Sequence, residues 1–429
     1  MPSVADKGRT LRRLVTARYE TSVVRRTGVL LALVGPAFVA NFLLLYACAG
    51  LLSASQFGVF YSANAVGNIL FSGSLVLNLS FTRYLAELRA GHGIASTPRG
   101  LWRIERGLLG WGALISALLI ASGLLVGGWV GVQSPLIVAL VVLDAYTGYL
   151  GDLGRVLLQA TRRTILLGCY TLVWMLLRLL LCLLGVLLFR TVWAAFSGIV
   201  ASALVMIAGM NVWLLRVLRH SHDAAGGAAG RLPGVASDLP AVLSYALLVA
   251  MANLDILLGY LLLPASLFGA YSASAILPKA ILAIILPLQQ MLFPLLAGGT
   301  ARAAAIAGLK GAGVVASVAI LGVAVTSLAR GLLCGAPPGL VFCVPPLMSV
   351  MLWSVVPLAL IRILLLADFA RRRYLRVGWV LPPSLAYAGW ATWQHIDAVG
   401  FAWGYVACSI TGLALLVVTR LLPGRWQPV

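Results

Sequence analysis

Two eight-residue stretches decide the fold: LLSASQFG at residues 51–58 and LLPASLFG at residues 262–269. They are identical at six of eight positions and begin 211 residues apart, about half of the 429-residue chain. Each stretch follows an apolar segment long enough to span a bilayer and leads into another one. Repetition at equivalent places predicts that the chain consists of two similar halves that arose by duplication.

The composition identifies the class of protein around these stretches. Hydrophobic residues make up 62% of the chain and charged residues 10%. A soluble domain needs a more charged surface, whereas a bilayer core about 30 Å thick needs roughly 20 apolar residues per helical span. The alternation typical of outer-membrane strands is absent from the sequence, which favours helices. The predicted spans are 28–52, 57–82, 107–131, 135–158, 165–189, 193–215, 241–263, 267–297, 311–333, 340–367, 377–394 and 398–420.

The distribution of cations predicts the orientation of these spans. Of the 31 Lys and Arg residues, 26 lie in the two ends of the chain and in the alternate loops on the same side of the membrane. Only Arg190 and Arg330 lie in loops on the opposite side. The other three, Arg178, Lys279 and Arg362, lie inside predicted spans. Loops rich in Lys and Arg stay in the cytoplasm, so we expect both ends of the chain there. The net charge of +20 is therefore attributed to membrane topology and not to nucleic-acid binding.

The span count and the repeat together predict an all-α integral membrane protein of about twelve transmembrane helices. Six spans are an even number, so the two six-helix lobes have the same orientation and are related by a pseudo-two-fold axis along the membrane normal, a plan common among transporters. The predicted parts are a basic cytoplasmic arm that lies on anionic lipid headgroups, a first lobe, a linker, a second lobe and a cytoplasmic tail, at 1–26, 27–218, 219–240, 241–422 and 423–429.

No pattern in the sequence indicates an enzyme, a metal site or a cofactor. The six cysteines form no CxxC pair, and the four histidines lack partners at metal-binding spacing. Most cysteines are expected to be small apolar fillers between helices. Cys334 and Cys343 flank a predicted outer turn, where a disulfide is an open alternative.

Ionisable residues inside predicted spans are the candidate binding residues, because a charge in hydrocarbon is costly unless it is paired or hydrated. Asp144, Arg178, Asp255 and Lys279 fall in one layer, roughly 12–18 Å below the outer ends of their spans at 1.5 Å per residue. One interpretation is two ion pairs that hold neighbouring helices together, Asp144–Arg178 and Asp255–Lys279. The other is that the two cations face a shared aqueous cavity and bind an anion there, while the acids hold and release the cations or carry a coupling proton. Arg362 either contributes to this cavity or extends to the inner interface.

Several motifs resemble one known family. They are the two repeated stretches, Arg83-Tyr84-Leu85-Ala86-Glu87, Asn253-Leu254-Asp255-Ile256-Leu257-Leu258, Gly269-Ala270-Tyr271-Ser272-Ala273 with Lys279 beyond it, and Phe293-Pro294. In these segments the sequence resembles the Wzx-type polysaccharide flippases of the multidrug/oligosaccharidyl-lipid/polysaccharide exporter superfamily. The resemblance implies a bacterial inner-membrane protein that moves undecaprenyl-diphosphate-linked glycans to the periplasmic leaflet beside other polysaccharide assembly proteins.

Two other functions remain open from the sequence. A cation-coupled multidrug exporter of the same superfamily usually carries a carboxylate in its first helices, whereas spans one and two here offer asparagines and no acid; these are Asn41, Asn64, Asn68 and Asn78. A polysaccharide polymerase or ligase commonly has a large periplasmic loop, whereas every predicted outer joint here is short.

Overall fold

The structure is a computed structural model of the whole chain. It describes residues 32–92, 96–130, 134–161, 163–219, 235–297, 301–335, 344–371, 373–393 and 397–421. Within these ranges the regular structure is helical and contains no strand, which confirms the predicted all-α class.

Fourteen α-helices and one 3-10 helix follow one another through the described ranges. They are α1 Ala32–Leu51, α2 Ala54–Phe71, α3 Gly73–His92, α4 Ser96–Val130, α5 Pro135–Ala160, α6 Thr164–Phe189, α7 Val192–Arg219, α8 Val235–Ala252, α9 Leu254–Leu262, α10 Ala265–Ala297, α11 Ala301–Gly335, α12 Pro345–Ala370, the 3-10 helix Tyr374–Val380, α13 Leu381–Trp393 and α14 Ala398–Leu421.

The described residues contain ten helical segments long and apolar enough to cross a membrane, and eleven when the bent pair α8 and α9 is taken as one span. The sequence predicts about twelve. The difference lies at 377–394, because this segment is divided into the seven-residue 3-10 helix and the 13-residue α13. Neither piece spans a bilayer alone, but end to end they extend about 33 Å, enough for a core of about 30 Å.

Some predicted segments fall partly or wholly outside the described residues. The terminal arm 1–26, the tail 423–429 and residues 220–234 of the predicted linker lie outside them, while residues 235–240 belong to α8. The side chains of Cys334 and Cys343, the candidate disulfide, are also outside the described part. Cys48 and Cys182 are free, buried and in contact between α1 and α6, with 3.7 Å between their sulfur atoms.

The two halves contain helices of matching length. α4 and α11 have 35 residues each, and α5 and α12 have 26 residues each and both begin with proline. Proline is favoured in the first helical turn, because the N–H groups there have no acceptor within the helix and the N–H that proline lacks is not needed. Other counterparts differ. The single 26-residue α6 corresponds to the divided segment at 374–393, the continuous α1 corresponds to the broken pair α8 and α9, and the separate helices α2 and α3 correspond to the continuous α10. The halves therefore share one plan and differ locally.

The repeated stretches form the turns that begin α2 and α10. Ser53 caps α2, because its hydroxyl accepts a hydrogen bond from the N–H of Gln56 and its own N–H donates to the Gln56 side chain. The turns pack reciprocally, since Gly58 lies against the Phe268 ring and Gly269 lies against the backbone of Ala54. This crossing of α2 and α10 joins the lobes and follows their pseudo-two-fold relation.

Replacing Gly269 by alanine tests the closeness of this crossing. A Cβ at residue 269 would overlap the Ala54 carbonyl oxygen, so the helices must separate. We expect Gly269→Ala to destabilise the protein by about 1–3 kcal/mol, the usual cost of overpacking, measured by thermal unfolding in detergent. Gly313→Ala is the control, because it makes the same helix-interior exchange where nothing lies within 4 Å. Equal melting temperatures for both variants would contradict the close crossing.

Candidate functional site

The predicted seventh span is broken in the middle of the bundle. α8 ends at Ala252, α9 begins at Leu254, and the two helices meet at 54°. Asn253 occupies the break, where its side-chain amide donates to the carbonyl of Val249 at 2.8 Å. The last carbonyls of α8 lose their partners in the following turn, and in hydrocarbon such groups must be satisfied from within the protein.

Lys279 of α10 donates hydrogen bonds to both sides of the break. Its ammonium donates to the carbonyl of Ala252 at 2.6 Å and to Oδ1 of Asp255 at 2.8 Å. Asp255 lies in the first turn of α9. The cation is therefore at the negative end of one helix dipole and the carboxylate at the positive end of the next. The Tyr405 hydroxyl also donates to the carbonyls of Ala252 and Met251, at 2.9 and 3.3 Å.

Aromatic side chains of the second lobe bury the carboxylate of Asp255, the acid of the Asp255–Lys279 pair. Tyr271 donates from its hydroxyl to Oδ2 of Asp255 at 3.2 Å, and its ring packs edge-on against Phe401, with 5.4 Å between centroids. Tyr387 packs against Phe401 and Tyr405. The Asp255 side chain is 0% exposed, whereas that of Lys279 retains 16% exposure. The accessible member of the pair is thus the cation.

The first lobe contains the second ion pair, between α5 and α6. Nη2 of Arg178 donates to Oδ2 of Asp144 at 3.2 Å, and the side chains are 19% and 14% exposed. Nε of Arg178 is buried and has no acceptor among the described residues. This pair is more open than Asp255–Lys279, and its guanidinium is only partly satisfied.

The structure contains both predicted ion pairs, and each stays within its own lobe. The cations face different partners, because Lys279 caps a helix break and Arg178 bridges two intact helices. Arg362 of α12 points into the bundle, where its Nη1 donates to the carbonyl of Leu282 at 3.4 Å. Leu282 lies one turn beyond Lys279 in α10, so Arg362 approaches the same helix.

Sequence reasoning missed three further polar clusters. Asp152 accepts from Asn78 and Arg155, and the Arg155 guanidinium lies over the Trp174 ring. In the second lobe Asp368 binds two cations, Arg376 and Arg420. In the first lobe Glu105 accepts a hydrogen bond from Asn211. Only the spacing of Asp152 and Arg155, three residues apart on a helix, gave a sequence signal.

The pair in the second lobe should be essential for stability. Lys279→Gln leaves the sealed Asp255 carboxylate without its counterion, and breaking a buried pair in this way costs about 3–5 kcal/mol. We expect a large fall in the melting temperature in detergent. The double variant Asp255→Asn/Lys279→Gln removes both charges and should recover most of the loss.

Arg178→Gln is the comparison for that experiment. It leaves Asp144, whose side chain is partly exposed and can be partly hydrated, so the loss of stability should be smaller than for Lys279→Gln. An equal or greater loss of stability in Arg178→Gln would contradict the deeper burial of Asp255 relative to Asp144.

The chain is similar to known proteins in structure and not in sequence. No family model matches the chain, and no curated protein matches it in sequence. Among solved structures, it is similar to a multidrug resistance MATE family transporter of the MOP superfamily in an inward-facing conformation, with 12% identity, a TM-score of 0.63, and coverage of 92% of this chain and 98% of that one. It is similar to the lipid II flippase MurJ in an inward closed conformation, with 9% identity, a TM-score of 0.60, and coverage of 91% and 87%.

A third similar structure is a MOP superfamily transporter from Pyrococcus furiosus described by the reverse polarity of its binding pocket. The identity is 13%, the TM-score is 0.61, and the coverage is 92% of each chain. These likenesses span nearly the whole chain and confirm the two-lobed helical fold. The chain has the fold of the MOP superfamily transporters.

Proposed function

We propose that this protein is a membrane transporter that flips lipid-linked oligosaccharide precursors from the cytoplasmic to the periplasmic leaflet by alternating access. The proposed location is a bacterial inner membrane, with both ends of the chain in the cytoplasm. The proposed substrate is an undecaprenyl-diphosphate-linked glycan, and we expect other polysaccharide assembly proteins to act beside it.

The observation that carries the proposal is that each lobe presents a partly accessible cation in a span. An ammonium has three N–H donors, and Lys279 uses two of them on Asp255 and Ala252. Arg178 has five donors, of which the described residues accept one. Both cations retain donors for an anion, and a diphosphate carries several negative charges and many acceptor oxygens.

The position of Lys279 also supports the proposal. Lys279 is ten residues beyond Gly269 in α10, just as Asn68 is ten residues beyond Gly58 in α2. Ten residues of helix extend about 15 Å, so both lie at the same depth below the crossing of the lobes. A cation on one interface helix and an exposed amide on the other are suited to a polar headgroup.

The fold alone supports two kinds of cargo, since the similar structures include a lipid flippase and multidrug transporters. Charge favours the lipid-linked substrate here. Asp255, the acid of the Asp255–Lys279 pair, is buried by Tyr271 and Lys279, so the group of this pair left accessible is positive. The pocket of the Pyrococcus furiosus protein, described as reversed in polarity, supports the view that pocket polarity differs among proteins of this fold.

Deleting the gene in its host tests the function. We expect lipid-linked repeat units to accumulate in the cytoplasmic leaflet, because the carrier headgroup cannot cross hydrocarbon unaided. Accumulation is measured by extracting the lipid-linked saccharides and by their resistance to a glycosidase added outside intact spheroplasts. A deletion strain that instead becomes drug-sensitive with normal lipid-linked saccharides would contradict the proposal and favour the multidrug exporter.

The charge-neutral double variants separate binding from helix pairing. Asp255→Asn/Lys279→Gln and Asp144→Asn/Arg178→Gln each remove an ion pair without leaving a buried charge. If the cations bind the diphosphate, both folded variants should fail to export the glycan, as measured in the deletion strain. Lys310→Gln is the matched control because Lys310 is exposed. Normal export by both double variants would show that the pairs only hold helices together.

A further inference from the structure

A buried acid in the first lobe is incompletely satisfied. Glu105 of α4 is 2% exposed, and its Oε1 accepts a hydrogen bond from Nδ2 of Asn211 in α7, at 2.7 Å. The other oxygen of each group, Oε2 of Glu105 and Oδ1 of Asn211, is also buried. Neither oxygen has a hydrogen-bond donor among the described residues.

One proton satisfies both oxygens. A carboxylate has no hydrogen to offer, so an ionised Glu105 leaves two buried acceptors without donors, which is costly. If Oε2 carries a proton, that O–H can donate to Oδ1 of Asn211 while Nδ2 continues to donate to Oε1. An acid and a primary amide then close a ring of two hydrogen bonds.

The surroundings favour a neutral acid. Ile104 and Met210, the chain neighbours of the two residues, belong to a buried apolar cluster with Phe81, Leu85 and Leu153. An apolar environment disfavours an unpaired charge. A bound metal cation of the hard type would need about six oxygen ligands, whereas the described residues hold no group of three acidic, histidine or cysteine ligands.

The ionisable residues on the packed helices provide no described counterion for Glu105. On α5, Asp152 and Arg155 pair with each other. Arg106 and Arg216, on α4 and α7, are exposed. No described salt bridge involves Glu105, and its only described partner is the amide of Asn211.

We propose that Glu105 and Asn211 form a proton-binding site of the first lobe and that this proton is exchanged during transport. The exchange rests on the proposed function, whereas the bound proton does not. Glu105 is the second residue of the candidate span Ile104–Ser122, and Asn211 is two residues from the end of Val192–Trp213. Both are therefore near span ends predicted to face the cytoplasm. Loss of the proton places a carboxylate oxygen beside an amide oxygen, and their repulsion separates α4 from α7.

Infrared spectroscopy tests the bound proton directly. The chain has only three glutamates, Glu20, Glu87 and Glu105, so carbon-13 labelling of glutamate gives few signals. The purified protein at neutral pH should show a labelled neutral-carboxyl band that declines as the pH is raised. Glu105→Gln should abolish the band, and the matched control Glu20→Gln should retain it. Absence of the band in the wild type, or its loss on adding sodium ions, would overturn the proton site.

Export by the same variants tests the exchange. Glutamine reproduces the protonated acid, because its amide donates to Asn211 Oδ1 and its carbonyl accepts from Nδ2, so Glu105→Gln should fold normally. Export in the deletion strain should fall about tenfold, within the usual range of coupling between two sites, and lose its dependence on external pH. Glu20→Gln should export normally. Export by Glu105→Gln at the wild-type level would overturn the exchange. If the wild-type protein itself exports no glycan, the proposed function is overturned and the infrared result is unaffected.

Discussion

The capped break in the seventh span is the interaction on which the second lobe depends. Hydrocarbon supplies no hydrogen bonds, so a helix can be interrupted there only if the protein replaces the lost bonds. Lys279 does this with a charge, and Asp255 in the next turn balances that charge. The bend, the position of the acid and the packing of Tyr271 and Tyr405 on it follow from this contact. A structural requirement of the backbone thus places an ammonium inside a candidate membrane span.

The lobes meet through small side chains at the repeated turns. Because Gly58 and Gly269 have no side chains, α2 and α10 approach closely. The Phe268 ring and the Ala54 carbonyl oxygen occupy the space that a Cβ at these residues would take. These contacts are van der Waals contacts, and separating them leaves no charge unpaired. The ion pairs, by contrast, lie inside the lobes. This division is suited to the proposed alternating access, in which each lobe would remain intact while the contact between lobes opens and closes.

The sequence predicted the repeat, the helical class and both ion pairs, since hydropathy and the spacing of charges along spans determine them. It did not predict the division of the segment 374–393 from hydropathy, although Pro382 and Pro383, in the first turn of α13, are typical of a helix start. It also overlooked Glu105 and Asn211, which are 106 residues apart. A pair of this kind depends on how two helices rotate against each other, and periodicity in one helix does not reveal the face of its partner.

The two lobes distribute their charge differently, and under the proposed transport function this argues for different roles. In the second lobe the acid is sealed and the cation caps a backbone, so Lys279 is held in place whether or not an anion is present. In the first lobe Arg178 bridges two continuous helices, its acid is partly accessible, and one of its nitrogens has no acceptor among the described residues. Arg178 can therefore exchange Asp144 for a phosphate at lower cost than Lys279 can leave Asp255. The proton site proposed at Glu105 is in this same lobe, so under the proposed function the first lobe is the one in which both charge and packing change, while the second provides a fixed surface for the proposed substrate.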